Sequence, residues 1–255
     1  MTDTTRWQNK KVVIFDLDGT LAESKQPLDS EMAELLEKLL THHMVAVISG
    51  GSFEQFSKQF LSSLSLSAEK LHNLILLPTS GAALYRYENN AWKEIYRHVI
   101  APEDAGHIIQ VLEEACAQFG FALKTEFGKT IENRGSQITL SPLGQQAPVE
   151  AKKDWDPDQM KRIAVVASIA TQIPNFKITI GGMTSIDITE NGIDKAYGIQ
   201  EIGKHLALDI EAMLFVGDAL YPGGNDEPAK KTGIDCVSVK DVAETKSLIR
   251  EITAS

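Results

Sequence analysis

At 255 residues, with 43% hydrophobic and 24% charged side chains, the chain has enough apolar material for a large core and too much to stay disordered. Its 35 acidic against 25 basic residues give a formal charge of −10, which repels polyanions and argues against nucleic acid, though a few local cations can still hold a small phosphate ester. No apolar run exceeds five residues, Met1–Arg6 lacks a basic-then-apolar leader, and Cys116 and Cys236 are too few for a disulfide framework or zinc site, so a cytoplasmic protein with no membrane partner is expected.

Lys11–Phe15 is short, continuous and rich in Val, the pattern of a strand buried on both faces of a parallel sheet, and it runs into Asp16. Met32, Leu35, Leu36, Leu39 and Leu40 recur at helical spacing and predict a helix over Ser30–Leu40, followed by a strand at Met44–Ile48. A helix near Ser52–Leu61 and a strand at Leu74–Leu77, closed by Pro78 and Gly81, continue the alternation. The rhythm then changes. Ala82–Tyr87 and Trp92–Tyr96, on either side of Glu88–Asn90, predict an antiparallel hairpin. Its aromatics Tyr85, Tyr87, Trp92 and Tyr96 are expected to pack on helices of an inserted domain, with a homodimer face as their alternative role. A helix at Pro102–Gln118, strands near Phe121–Thr125 and Gln137–Leu140, and a helix over Asp158–Thr171 make the middle third an α+β segment. The parallel rhythm resumes with a helix at Lys195–Leu206, strands at Ala212–Val216 and Cys236–Val239, and a closing helix from Asp241. The expected architecture is an α/β protein: a doubly wound Rossmann-like parallel-sheet core of residues 1–83 and 184–255, split by an inserted α+β cap domain of residues 84–183.

Asp16-Leu17-Asp18-Gly19-Thr20 follows the first strand, at the end where open parallel sheets place ligands. Two carboxylates one residue apart can divide the work of phosphoryl transfer, one attacking phosphorus while the other moves protons; an acidic turn after a strand is the plainer alternative. A second acidic stretch, Gly217-Asp218-Ala219-Leu220-Tyr221-Pro222-Gly223-Gly224-Asn225-Asp226, follows the strand Ala212–Val216. If the two strands are neighbours their acids share one rim, and a phosphate dianion can approach them only with a neutralising cation such as Mg2+. The alternative there is a solvated glycine-rich loop. Ser49 ends the second strand ahead of a helix N-terminus, where its hydroxyl and free N–H groups could hold phosphate oxygens, whereas Ser52 suits an N-cap. Lys195 opens a helix, an unfavourable place for a cation, and calls for a compensating anion such as Asp16 or a phosphate.

Taken in order, these four segments resemble the haloacid dehalogenase superfamily of aspartyl-phosphate enzymes, in the class that carries an α+β cap between the Ser and Lys motifs. The resemblance implies Asp16 as nucleophile, Asp18 as general acid/base, Ser49, Gly50 and Lys195 on the phosphoryl group, and Mg2+ held by Asp16, Asp18, Asp218, Asn225 and Asp226. Ser141-Pro142-Leu143-Gly144, Gly181-Gly182-Met183-Thr184-Ser185-Ile186-Asp187 and Pro222–Asp226 are similar, more narrowly, to eukaryotic-type phosphomannomutases. That likeness implies sugar contacts from Ser185 and Asp187 and a distal-phosphate clamp at Arg134. Where the family carries further clamp arginines this chain has Lys25, Lys152 and Gln145, and neither lysine nor glutamine reproduces the bidentate fork. The expectation drawn from that difference is a Mg2+-dependent phosphatase of a small phosphorylated sugar, with phosphomannomutase as the alternative. A phospho-acceptor signalling domain is a distant third, because receiver domains are much shorter and lack a cap.

Overall fold

The computed structural model describes residues 7 and 9–254. Contacts divide the chain into two compact units, one formed by residues up to Arg97 and from Asp194 onward, the other by His98–Ile193. In chain order, the first unit begins with β1 (Val12–Asp16), α1 (Ser30–Leu39), β2 (Met44–Ile48), α2 (Phe53–Gln59), α3 (Ala68–His72), β3 (Leu74–Leu77), β4 (Ala83–Glu88) and β5 (Ala91–Arg97). The second holds α4 (Pro102–Phe119), β6 (Lys124–Thr125), β7 (Gly128–Lys129), β8 (Ile131–Asn133), β9 (Ile138–Leu140), α5 (Val149–Trp155), α6 (Met160–Ile169), β10 (Phe176–Gly181) and β11 (Ser185–Glu190). The chain then returns to the first unit with α7 (Lys195–Leu206), β12 (Met213–Gly217), α8 (Glu227–Lys230), β13 (Asp235–Ser238) and α9 (Val242–Thr253).

The first unit is built on one seven-stranded sheet in the order β13-β12-β1-β2-β3-β4-β5, parallel from β13 to β3. Alternation along the strands explains why their apolar runs are continuous. Val13, Phe15, Val45, Val47, Leu214 and Val216 face one core layer with Met32, Leu36 and Ile249, while Val12, Ile14, Ala46, Ile48, Met213 and Phe215 face the other with Ile199 and Ile202. Each such fully buried side chain contributes about 1.5–3 kcal/mol of apolar transfer. The register sets the site: Phe15 lies beside Val216 of β12 and Asp16 beside Ile48 of β2, so Asp16, Ser49 and Asp218 emerge on one rim.

The hairpin corrects the expected boundaries. β4 pairs antiparallel with β3, Leu76 beside Tyr85, and extends the first unit's sheet, so the units divide at 97/98 and 193/194 and not at 83/84 and 183/184. Its aromatics pack on the core and not on cap helices: Tyr85 stacks on Phe53 of α2 with ring centroids 4.2 Å apart, and the Tyr96 hydroxyl donates to the Gly81 carbonyl at 2.8 Å. The physical reason is the open edge of β3, whose unpaired backbone groups the hairpin satisfies.

The second unit has a four-stranded antiparallel sheet, β10-β11-β9-β8, and a short β6-β7 ribbon. Ile138, Leu140, Ile186 and Ile188 point toward a core shared with Ile108, Leu112, Val165 and Ile169 of α4 and α6. Alternation places Thr139 and Asp187 on the opposite face, directly across from each other. The strands β8, β10 and β11 were not among the sequence expectations, and Phe121–Thr125 contributes only the two residues of β6. Among the described residues, no helix is long and apolar enough to cross a membrane.

Candidate active site

The rim of the parallel sheet gathers one ammonium and three carboxylates. Lys195 stands at the first position of α7, whose N-terminus is capped by Asp194: its Oδ1 accepts from the N–H groups of Ala196 (2.9 Å) and Tyr197 (3.2 Å). A cation there opposes the helix dipole, and the compensation is local. Lys195 Nζ donates to Asp16 Oδ1 and to Asp226 Oδ1 (2.5 Å), and all three residues are buried. One turn further on, Gly198 lets α7 approach the sheet closely; a Cβ there would lie 2.7 Å from the Ile48 side chain and 3.1 Å from Gly81 Cα.

Asp226 is also tied to the loop after β12, its Oδ2 accepting from the Ala219 N–H at 2.9 Å. Asp218 accepts from the Thr20 hydroxyl at 3.3 Å. Gly19, with φ of +90°, leaves room for that carboxylate, since a Cβ at position 19 would fall 2.6 Å from Asp218 Oδ2. One ligand oxygen each from Asp16, Asp218 and Asp226 lies within 4.8 Å of the others. Against the single Lys195 ammonium, the three carboxylates leave a formal excess of two negative charges.

Protonation reflects that excess. Burial holds the Asp16 carboxyl well above the usual carboxylate range; Lys195 opposes this, and the Asp226 and Asp218 charges add to it. Asp218 is raised in the same way, by burial and then by Asp226. For Lys195 burial works against the charge, but Asp16 and Asp226 outweigh it and keep the ammonium above its ordinary pKa. An all-oxygen, over-negative donor set of this kind fits a hard divalent cation.

Asp18 is not part of the triad. Its Oδ1 accepts from the Lys25 backbone N–H at 2.6 Å and from Gln59 Nε2 at 2.8 Å. Ser49, buried at the end of β2, is the acceptor for a long bond of 3.4 Å from the Gly51 N–H, with Gly50 between them. Ser52 caps α2 through a reciprocal bond with Gln55, the structural role its position suggested. Asn225 is half-buried in the loop that ends at Asp226.

The remaining expected residues belong to the second unit. Arg134 donates through Nε and Nη2 to Glu132 Oε2 at 2.9 and 2.6 Å. Lys152 is buried and donates to the Gln145 carbonyl at 3.3 Å, while the Gln145 side-chain amide donates to the Ser141 hydroxyl at 2.8 Å. Ser185 and Asp187 sit on β11; the Ser185 hydroxyl donates to the Gly181 carbonyl at 2.7 Å and Asp187 accepts from the Thr139 hydroxyl at 2.8 Å.

Two buried residues in these networks were not among the sequence expectations. Arg162 donates through Nε to Asp156 Oδ2 at 2.8 Å and through Nη1 to the Gly182 carbonyl at 2.9 Å, pinning the turn that precedes Ser185. Gln59 lies three residues after Phe56 on the buried side of α2, and Arg162 three before Val165 on that of α6. A polar residue at apolar spacing was the available signal.

The profile of the eukaryotic phosphomannomutase family matches residues 32–254. The chain belongs to this family. A phosphomannomutase of Schizosaccharomyces pombe is 26% identical over 224 residues, 85% of this chain and 84% of that one. Among solved structures, an IMP-nucleotidase of Plasmodium falciparum superposes with a TM-score of 0.72 at 16% identity, covering 99% of this chain and 70% of that one. A haloacid dehalogenase-like hydrolase of Bacteroides thetaiotaomicron gives 0.63 at 16% identity, covering 95% and 99%. At such identities the structural likenesses speak for the fold, an α/β core with a separate antiparallel cap sheet, and the phosphomannomutase match identifies the chain as an enzyme of that lineage. The aspartate triad of this phosphomannomutase-family chain contains three of the five residues expected to hold a metal, with Asp18 outside it.

Proposed function

We propose that the chain interconverts mannose 6-phosphate and mannose 1-phosphate through an aspartyl phosphate on Asp16. The observation that carries this reading is the buried Lys195 between Asp16 and Asp226, with Asp218 beside them, in a member of the eukaryotic phosphomannomutase family. The family match supports mutase chemistry better than the hydrolysis expected from Gln145.

In this mechanism an Asp16 carboxylate oxygen bonds to phosphorus as the sugar ester P–O bond breaks, and Asp18 gives its proton to the departing sugar oxygen. Asp18, now ionised, takes the proton from the hydroxyl that attacks the phosphoryl group on Asp16, which frees the aspartate. For a phosphatase that hydroxyl belongs to water; for a mutase it is the free one of an incoming mannose 6-phosphate. The first ester cleaved by a mutase is therefore that of a hexose 1,6-bisphosphate, and the mannose 1,6-bisphosphate formed turns over and returns its 6-phosphoryl group to Asp16, leaving mannose 1-phosphate. Ser49 and the Gly50 N–H would hold phosphoryl oxygens, and Lys195 would offset their charge in a site where burial strengthens it. Asp16, Asp218 and Asp226 would hold Mg2+; Asn225 adjoins Asp226 in sequence, and Thr20, two residues after Asp18, bonds to Asp218. When bound, Mg2+ supplies the positive charge that lets a phosphate dianion approach these acids. Within the second unit, Arg134 and Lys152 would engage a distal phosphate, and Ser185 and Asp187 the sugar hydroxyls.

Incubating the protein with mannose 6-phosphate and Mg2+, with and without a trace of hexose 1,6-bisphosphate, and following phosphorus resonances tests the reading. Mannose 1-phosphate that forms only with the bisphosphate is the expected result. Free phosphate with no mannose 1-phosphate would overturn it in favour of a phosphatase, the second reading, which Gln145 favours because an uncharged side chain retains a bisphosphate less firmly.

A further inference from the structure

We propose that Gln59 is a positioning residue for the reaction: it fixes Asp18 so that one oxygen, Oδ2, carries the proton in both half-reactions. The inference rests on the role of Asp18 given above. Asp18 Oδ1 accepts two bonds, from the Lys25 N–H at 2.6 Å and from Gln59 Nε2 at 2.8 Å. A carboxylate oxygen has two lone pairs in its plane, and both are engaged. A proton on Oδ1 would have to displace one of these donors, so it resides on Oδ2.

Gln59 is buried and stands at the end of α2. Its own carbonyl accepts from the Leu28 N–H at 3.2 Å, which fastens the end of the helix to the segment that follows Lys25. Lys25 adopts φ of +61°, a left-handed conformation unfavourable for a residue with a Cβ, and in it the N–H donates to Asp18. Two separate segments therefore converge on one oxygen. Facing a carboxylate, only the NH2 end of the Gln59 amide can make this contact; its carbonyl end would repel.

The arrangement suits a residue that must act first as acid and then as base. With the proton on Oδ2, Oδ1 is a carbonyl oxygen; with the proton gone, it is half of a carboxylate. It accepts from the same two donors in both states. Asp18 can therefore release its proton to the leaving sugar oxygen, and regain one from the attacking hydroxyl, without rotating between the steps.

Leaving groups distinguish positioning from mere packing. A sugar alkoxide departs only with a proton, whereas p-nitrophenolate departs without one, so loss of Asp18 alignment slows sugar-ester cleavage but not the first-turnover burst of p-nitrophenolate, which precedes the attack of water that Asp18 assists. Wild type, Asp18→Asn and Gln59→Met are compared on mannose 6-phosphate with a trace of hexose 1,6-bisphosphate and, in rapid mixing, on p-nitrophenyl phosphate, both with Mg2+. For Gln59→Met, kcat on mannose 6-phosphate should fall about 10-fold or more, with KM little changed and the rate of the p-nitrophenolate burst within about threefold of wild type. Equal loss on both substrates, or no loss on either, overturns the inference. If Gln59→Met is insoluble, the same comparison is read on Gln59→Asn, whose shorter amide cannot reach Oδ1. If Asp18→Asn keeps wild-type turnover of mannose 6-phosphate, the functional reading itself fails and this inference with it. If Asp18→Asn is impaired and the Gln59 variants are not, only the inference fails.

Discussion

Each unit of this protein buries an ion pair, and the two are closed differently. In the cap unit, Arg162 meets Asp156, one cation to one anion, and its other donors reach the carbonyls of Gly181, Gly182 and Asp156. Nothing is left over, and the pair can only hold the turn before Ser185 in place. In the core unit, Lys195 faces Asp16, Asp226 and, through them, Asp218, and negative charge remains in excess. Burial first, and the neighbouring carboxylates after it, hold the Asp16 and Asp218 carboxyl groups above the usual range. A neutral buried pair costs desolvation and returns rigidity; an unbalanced one also returns a place for a cation and a nucleophile.

The largest effect that would break this contrast is at Asp16, the nucleophile of the proposed mechanism. Asp16→Asn should lower turnover of any phosphate ester on the order of 10⁴-fold while the far-ultraviolet circular dichroism stays that of the wild type. Appreciable activity in that variant would remove the covalent route. Arg162→Met should act on the other side of the comparison. It leaves Asp156 buried and unpaired, so the cap unit should lose about 3–5 kcal/mol of stability, seen as an earlier unfolding transition. Because the change lies within the cap unit, p-nitrophenyl phosphate hydrolysis should outlast mannose 6-phosphate turnover as denaturant is added. Simultaneous loss of both would mean that the two ion pairs do not serve separate ends.

A smaller effect sharpens the contrast. Asp187→Asn retains the shape of the side chain and its bond from Thr139, and should raise KM for mannose 6-phosphate about 10-fold, the weight of one charge-assisted hydrogen bond, with kcat on p-nitrophenyl phosphate unchanged. An unchanged KM would take Asp187 out of sugar recognition.

The contrast also bears on what the sequence made legible. The core announced itself because strands buried on both faces are written as unbroken apolar runs, and because Asp16 and Asp218 directly follow or end such runs. Lys195 was legible for a physical reason: a cation at a helix N-terminus needs an anion, and Asp16 is there. The hairpin was harder, since Tyr85 and Trp92 carry no mark of which sheet they join; only the open edge of β3 decides it. In the cap sheet β9 matches the strand expected near Gln137–Leu140, but β8 hid in only three residues, although Phe176–Gly181 and Ser185–Glu190 do alternate apolar and polar side chains. Gln59 and Arg162 were overlooked because a polar residue on a buried helix face looks like an interruption of the pattern, when its burial is the information.

The most direct test of the central claim is calorimetric titration of MgCl2 into chelator-treated protein, wild type beside Asp218→Asn. The account predicts one site per chain in the wild type, lost or weakened at least about 10-fold when one carboxylate ligand is removed. No binding to the wild type, or equal binding to both proteins, would contradict it.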